Sequence, residues 1–238
     1  MLACTAPETT VAETADFPLP ATNRSRRRVQ LQSTASDRTV VERFIADRYH
    51  DMYGARIDQF LPFLLSVHDQ DTLLSVVGLR PGTHERFFLE QYLPEPIDVV
   101  IERDSRINVN RREIVEMGNL AAIRGGSQLL FMALPQLLRE AGFRWVTFTL
   151  TVEVQLLLRR LGYAPQVVTA ALPGALPDHG RNWGAYYCHS PRVAYGNVEL
   201  AWSALQRNEM AQRLLHETGD SVTLMAQQLN ISQTGERS

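Results

Sequence analysis

The chain has 238 residues and a mass of 26.9 kDa, with 45% hydrophobic and 21% charged residues, a composition typical of a globular protein with one sizeable domain. Its 24 basic and 26 acidic residues give a net charge of −2, so no overall positive field attracts nucleic acid. All of the basic residues are arginines, which excludes Schiff-base, pyridoxal and phosphate-loop lysine chemistry.

Cysteine, histidine and apolar patterns narrow the class further. Cys4 and Cys188 are too few and too far apart in sequence for a disulfide framework or a cysteine zinc site, which favours a reducing compartment. The histidines do not fall at ligand spacing, so we expect no metal. Without a bilayer-length apolar run or a signal-peptide pattern, we expect a cytoplasmic protein with no stable membrane insertion.

The first half of the chain predicts an arm followed by strands. Residues 1–28 are rich in Ala, Thr and Pro and end in an arginine cluster, which predicts a disordered N-terminal arm. Val29–Gln32 predicts a strand, and a helical pattern follows it. Leu61–His68 and Thr72–Leu79 predict a hairpin. Phe87–Asp98, interrupted by two prolines, predicts an excursion beside the sheet.

The second half alternates between strands and helices. An apolar helix ending at Gly142 and a second helix stopped by Gly162 separate the strand-like runs. These predicted strands are Glu113–Leu120, Arg144–Thr149, Tyr163–Ala171 and Trp183–Cys188. The alternation predicts an α/β (α+β) domain over residues 29–197, with a mixed, mostly antiparallel central sheet and helices on both faces. Residues 198–238 are predicted to form a C-terminal helical extension, with an amphipathic helix over 198–215 and a polar tail.

A glycine corner joins one predicted strand to the apolar helix. The sequence Arg124-Gly125-Gly126-Ser127 leaves backbone donors free at a helix N-terminus, where a phosphate can bind. A simple turn is the alternative. The order strand, Arg-Gly-Gly, helix, strand, helix ending in Leu161-Gly162-Tyr163 resembles GNAT acyltransferases, which bind the pyrophosphate and pantetheine of an acyl thioester in this way.

Several sequence blocks carry a more specific resemblance. They are Tyr53-Gly54-Ala55, Phe88-Leu89-Glu90-Gln91-Tyr92-Leu93, Glu113 to Ala121, Phe148-Thr149-Leu150-Thr151, Arg160-Leu161-Gly162 and Trp183-Gly184-Ala185-Tyr186-Tyr187. With these blocks the chain resembles the thermostable haemolysin family over roughly residues 27–200. The family name implies lysis of red cells, while its pattern is similar to acyl-homoserine lactone synthases, which are GNAT-fold enzymes. The resemblance implies a GNAT-like fold more firmly than a reaction.

Acyl transfer to an amine needs a base for the ammonium group and donors for the oxyanion. Glu116 is the first candidate for the base, and an ion pair with Arg112 or Arg144 is the structural alternative. Glu90 is the second catalytic candidate. Together with Tyr92 it could hold the acceptor, unless both lie on a docked surface helix.

The remaining candidates concern the acyl donor. For the phosphopantetheine arm they are Asn119, Arg124, Gly125, Gly126, Ser127 and Thr149, although Asn119 could instead satisfy a bulge. Leu150, Trp183 and Tyr186 are candidates for the acyl pocket, with a core role as the alternative for the aromatic residues. Leu158 stands where many acetyltransferases have a tyrosine that protonates the leaving thiolate. Lactone synthases commonly lack that acid, and a thiolate with a pKa near 8.5 can leave with little assistance.

The sequence therefore predicts an N-acyltransferase that moves an acyl group from acyl carrier protein or coenzyme A to a small, amino-acid-like amine, with no covalently bound cofactor. A membrane-active haemolysin acting through the segment near Trp202 and a catalytically inactive thioester-binding module are the alternatives. Met225–Ser232 resembles the start of a helix-turn-helix, but no recognition helix follows, so we expect no nucleic-acid partner. The length of the acyl chain, the acceptor, the type of donor and the oligomeric state stay open.

Overall fold

A computed structural model describes residues 27–32, 35–83, 86–123 and 125–234. The predicted disordered arm lies outside these ranges over residues 1–26. Arg27 and Arg28, which we assigned to the arm, are the first residues of a strand instead.

Within these ranges, seven strands form one open sheet in the order β1-β2-β3-β4-β5-β7-β6. The neighbouring strands pair antiparallel, except for β4 and β5, which are parallel. This topology confirms the predicted mixed, mostly antiparallel sheet. The strands are β1 (Arg27–Gln32), β2 (Phe63–Asp69), β3 (Thr72–Pro81), β4 (Ile114–Ala122), β5 (Trp145–Leu150), β6 (Gln166–Ala170) and β7 (Arg192–Asn197).

Helices cover both faces of the sheet, as predicted. They are α1 (Ala35–Tyr53), α2 (Ile97–Ser105), α3 (Gly126–Glu140), α4 (Val152–Arg160), α5 (Val198–Leu205) and α6 (Glu209–Thr234). On one face, α1 packs on β2, β3 and β4, and α2 packs near β4, β5 and β7. On the other face, α3 lies over the sheet centre, and α5 and α6 pack against it.

The predicted strand over Trp183–Cys188 is wrong. Two short 3-10 turns, Arg181–Trp183 and Tyr186–His189, occupy this region. The next strand of the sheet, β7, begins only at Arg192. Gly184 separates the turns with a φ of 51° and a ψ of −127°, a backbone conformation incompatible with a regular strand.

The predicted helix over 198–215 is two helices. Asn208 ends the link between α5 and α6, and its side-chain oxygen accepts a hydrogen bond from the Ala211 amide at 3.1 Å, as an N-cap residue does. The tail predicted to be polar is part of α6, whose Val222, Met225 and Leu229 are buried in the core beneath the sheet. The stretch resembling a helix-turn-helix is therefore the interior of one helix.

Helix α3 continues through Pro135, which lacks the amide hydrogen that would bond to the Phe131 carbonyl. The Tyr163 hydroxyl donates to that carbonyl at 2.7 Å. A side chain from the loop after α4 thus replaces the hydrogen bond that proline removes.

Candidate active site

The two parallel strands part in the middle of the sheet. Backbone pairing between β4 and β5 ends at Met117 and Phe148, and the next residues of both strands, Gly118 and Thr149, line an open cleft of about 400 Å³. The cleft lies on the face covered by α1 and α2. A parting of parallel strands exposes backbone groups that an extended ligand can bind.

A bulge in β4 shapes the floor of this cleft. The register with β3 shifts between Gly118 and Ala121, and Asn119 within the bulge has a φ of 50°. The Asn119 side chain accepts from the Leu61 amide at 2.9 Å and donates to the Gln59 carbonyl at 3.2 Å. Of the two roles predicted for Asn119, the geometry favours supporting the bulge and its adjacent loop over binding pantetheine.

Glu116 lies at the base of the cleft. Its side chain is 4% exposed. Oε1 accepts a hydrogen bond from the Leu89 amide at 2.8 Å, and Oε2 accepts from the Phe88 amide at 3.1 Å. Because a carboxylate offers about four acceptor positions, Oε1 retains capacity for a water or an amine.

Arg80 is the cationic partner of Glu116. Its Nη1 lies 3.3 Å from Oε2. Glu116 thus has an arginine partner, as the structural alternative expected, but the partner is neither Arg112 nor Arg144. Arg144 pairs with Glu113. Burial raises the pKa of Glu116 above its ordinary value, and the amide donors and Arg80 offset only part of that rise. A carboxyl group with such a perturbed pKa in a cleft is a candidate general base.

Glu90 is buried but does not line the cleft. Its oxygens accept a paired contact from Arg111, at 2.7 and 2.9 Å, together with the amides of Phe87 and Ile97. Burial alone would raise the pKa of Glu90, but these hydrogen bonds lower it overall. The arrangement gives Glu90 a different environment from that of Glu116.

Aromatic side chains form the opposite wall of the cleft. Trp183 contacts Phe88, Tyr49 and Tyr186, with ring centroids 5.8, 6.2 and 5.1 Å away. Burial raises the pKa of Tyr186, so its hydroxyl stays protonated, and it lies 3.5 Å from the Thr149 hydroxyl. Trp183, Tyr186 and Thr149 therefore meet at the cleft.

Tyr92 lies outside the cleft lining. Its hydroxyl is 2.7 Å from that of Tyr187, and burial is the main cause that raises its pKa. The structure thus joins Tyr92 to the back of the aromatic wall.

Most of the blocks of the family resemblance converge on this site. Gly184 packs against the backbone of Tyr53 and Gly54, where a Cβ atom would overlap the Tyr53 carbonyl. The Ala185 amide also donates to that carbonyl at 2.7 Å. The end of α1, the 87–93 turn, β4 and the 181–189 segment therefore enclose one cleft.

The glycine corner follows β4 as predicted. Gly125 has a φ of 82° and precedes α3, and none of the described side chains caps the first turn of this helix. A side chain at Gly126 would overlap the Leu74 carbonyl, while Ser127 is partly exposed in the first turn. Arg124 lies outside the described residues.

A second, apolar cavity of about 130 Å³ lies under α3. Met117 and Phe148 line both this cavity and the cleft, so they separate the two spaces where β4 and β5 part. Leu158 lines the second cavity. Leu150, predicted for the acyl pocket, is buried in the core and lines neither space.

Two features of the described residues bear on the class of site. No group of three or more His, Cys, Asp or Glu side chains in these ranges could hold a metal ion, and no helix there is long and apolar enough to cross a membrane. The cytoplasmic location stays a prediction.

Sequence reasoning missed Arg80, Arg111 and the amide donors of Phe88 and Leu89. Arg80-Pro81 reads as the end of a hairpin, and Arg111 lies in a polar segment without a pattern. The alternation of β3 opposite β4 was the available signal, because it places Arg80 directly across from Glu116.

Comparison with known proteins identifies the family of the chain. The family model described as Thermostable hemolysin matches residues 31–202, a span that contains the cleft. The chain belongs to the thermostable haemolysin family. Curated proteins gave no match.

Solved structures with similar folds include acyl-chain enzymes. FeeM, an N-acyl amino acid synthase from uncultured soil microbes, is 12% identical, with 79% of this chain and 98% of FeeM covered and a TM-score of 0.52. The AHL synthase LasI is 10% identical, with coverages of 73% and 91% and a TM-score of 0.52. TofI in a ternary complex with an inhibitor and MTA is 10% identical, with coverages of 77% and 99% and a TM-score of 0.51. This member of the haemolysin family therefore has the GNAT-like fold that the sequence predicted.

Proposed function

We propose that this protein is an N-acyltransferase that moves an acyl group from an acyl-CoA or acyl-ACP thioester to the amine of a small, amino-acid-like acceptor. The observation that carries the proposal is the buried carboxylate of Glu116 at the point where β4 and β5 part. FeeM and LasI, named as an N-acyl amino acid synthase and an AHL synthase, share the fold.

In this proposal the donor lies along β4. The phosphates meet the amides at the start of α3, near Gly125 and Ser127. The Gly126 amide already donates to the Ile123 carbonyl at 3.0 Å. The pantetheine arm follows β4 back toward Glu116, over roughly 20 Å at the rise of an extended strand. Thr149, Tyr186 and Trp183 border the thioester end.

The acyl chain passes just beyond the last paired residues, Met117 and Phe148, into the apolar cavity under α3. Burying a chain there removes about 0.8 kcal/mol of unfavourable hydration for each methylene group. This assignment moves the acyl pocket away from Leu150, which is enclosed in the core.

The acceptor enters from the cleft side. Glu116 takes a proton from its ammonium group, directly or through one water, and the neutral nitrogen attacks the thioester carbonyl. The C–N bond forms and the C–S bond breaks, and the second proton of the nitrogen passes to the leaving thiolate. The products are an amide, a free thiol and protonated Glu116, which returns its proton to solvent. Arg80 donates through Nη1 to Glu116 and to the Arg86 carbonyl, and these are its bonds within the described residues. Its other N–H groups can therefore bind a carboxylate on the acceptor.

Such products are amphiphiles, with an acyl chain and an ionised head. We propose that they, rather than a pore, account for the lysis in the family name. Red-cell lysis would then require both substrates together with the protein, and it would disappear with Glu116→Gln.

The test is a panel of acyl-CoA and acyl-ACP donors with amino acids, followed by free-thiol release and mass spectrometry of products. We expect thiol release that depends on the acceptor, with an N-acyl product. Phenylalanine should react faster than phenethylamine, and Arg80→Gln should reduce that preference while Arg43→Gln, on the exposed face of α1, leaves it intact. Thiol release that does not depend on any amine, or none at all, would refute the proposal.

A further inference from the structure

Glu90 stands between two residues of the cleft wall but points away from the cleft. Leu89 and Gln91 line the cleft, whereas Glu90 is 2% exposed and bonded on both oxygens to protein groups. A buried carboxylate with all of these partners has no free acceptor position for a substrate. The mechanism above leaves it without a role.

The partners of Glu90 fix both ends of one short segment. Its Oε2 accepts from the Phe87 amide at 3.0 Å, before the turn, and its Oε1 accepts from the Ile97 amide at 3.0 Å, beyond it. The turn between them supplies the two amides, from Phe88 and Leu89, that donate to Glu116.

Arg111 anchors this arrangement to the rest of the fold. Besides its paired contact with Glu90, its guanidinium bonds to Asp98 at 2.7 Å and lies 4.4 Å from the centre of the Phe87 ring. Its backbone packs so closely on Gly82 that a Cβ atom there would overlap the Arg111 carbonyl. The clamp formed by Glu90 and Arg111 therefore holds the turn from outside the cleft.

We propose that Glu90 is a positioning residue for Glu116, because it holds the 87–93 turn so that two backbone amides meet the Glu116 carboxylate. This inference rests on the proposed function for its catalytic meaning. Hydrogen bonds to a carboxylate favour its charged form, so the clamp keeps the buried base ionised at a pH where burial alone would protonate it.

Several charged and titratable groups lie around Glu116. Because of them, the direction in which the pKa of Glu116 changes when Glu90 is replaced is informative. Those bonded to it or to the turn, or lining the same cleft, are Arg80, Glu90, Arg111, Asp98, Arg86, Arg56, Asp58, Asp178, Tyr49 and Tyr186. Removing the negative charge of Glu90 lowers the pKa of Glu116 by charge alone, since like charges raise it. Releasing the turn acts in the opposite direction, because it removes donors from the carboxylate.

The experiment measures the pKa of Glu116 in Glu90→Gln, by the acidic limb of the pH profile of kcat/KM and by carboxyl-carbon NMR titration of the full chain. We expect a rise of about one pH unit or more, since each lost donor is a charge-assisted hydrogen bond. Glu95→Gln is the matched control: Glu95 pairs with exposed Arg103 and does not contact Glu116. The pKa of Glu116 in Glu95→Gln should equal that in the wild type.

Arg111→Lys is a second variant, which keeps all charges and loses the paired contact with Glu90. It should therefore also raise the pKa of Glu116. In a Glu116→Gln background, Glu90→Gln should cause little further loss of turnover. An unchanged or lowered pKa of Glu116 in Glu90→Gln and Arg111→Lys, with only a lower melting temperature, would overturn the inference. The NMR titration needs no activity, so it tests the positioning role even if the wild type transfers no acyl group.

Discussion

Replacing Glu116 by Gln tests the site most sharply, because the change keeps the shape of the side chain and removes its basicity. The Gln oxygen can still accept one of the amide hydrogens from Phe88 or Leu89. Its NH₂ group then faces a second donor, so at least one hydrogen bond is lost. The aromatic wall and the start of α3, where we propose that the donor binds, are untouched.

The size of the effect on turnover follows from the role of a base. General acid–base catalysis contributes typically 10²–10⁴-fold, so we expect turnover to fall by about that factor. Donor affinity should be nearly unchanged, because the phosphates and acyl chain bind elsewhere in the proposed complex. Without the base, an amine that is already deprotonated should still react, so part of the activity should return at high pH.

The free energy of unfolding should depend on pH differently from what a structural ion pair at Glu116 would predict. The pKa of Glu116 is raised in the folded protein, so the carboxyl group destabilises the fold progressively as the pH rises from 4.5 through the folded pKa, and fully above it. Glu116→Gln removes this penalty but loses one or two hydrogen bonds. We expect the free energy of unfolding at neutral pH to change by no more than about 2 kcal/mol, with the variant gaining relative stability as the pH rises.

The assay combines free-thiol release with urea unfolding between pH 4 and 8, and Glu113→Gln is the control because Glu113 pairs with exposed Arg144. The control should keep full turnover. If Glu116→Gln instead keeps turnover within twofold of the wild type and unfolds several kcal/mol more easily, Glu116 is structural and the reasoning about the base is wrong.

Three further changes test the parts of the fold that build the site. Gly184→Ala should destabilise the protein by at least about 2 kcal/mol in urea unfolding, since the φ of Gly184 is 51° and a Cβ would overlap the Tyr53 carbonyl. Gly174→Ala is the control, because a Cβ there meets open space. Equal stabilities of the two variants would contradict the close contact between α1 and the 181–189 segment. Tyr163→Phe should cost about 1–2 kcal/mol by leaving the Phe131 carbonyl without a donor, and Pro135→Ala in that background should recover part of the loss; no recovery would mean that the hydroxyl acts elsewhere. Ala201→Phe, which adds bulk to the cavity under α3, should slow transfer of long acyl chains at least tenfold while sparing acetyl transfer, and equal slowing of both would place the chain elsewhere.

Much of the site was predictable where a local pattern determines the geometry. The sequence predicts the strand that carries Glu116 and the glycine corner that begins α3. These inferences need only the period of a strand and the turn preference of glycine. The face of the sheet on which Glu116 lies was a condition for its role as a base and was not itself predicted.

The remaining parts depend on contacts between distant segments. Glu90 meets Arg111 across 21 residues, and Tyr92 meets Tyr187 across 95, so their partners have no signature in the local sequence. The error over Trp183–Cys188 has a similar origin: aromatic residues favour strands, but these rings pack into one cluster around a glycine with positive φ. Whether Arg124 binds phosphate stays a prediction, as do the other donor contacts.

A crystal structure with a non-hydrolysable acyl-thioether analogue of acyl-CoA tests the central claim most directly. The account predicts that the carbonyl of the analogue lies where β4 and β5 part, within reach of Glu116 Oε1 through at most one water. Its acyl chain should pass just beyond Met117 and Phe148, the last paired residues, into the cavity under α3. An analogue bound elsewhere on the protein, with the cleft unoccupied, would contradict the claim that this cleft is the acyltransferase site.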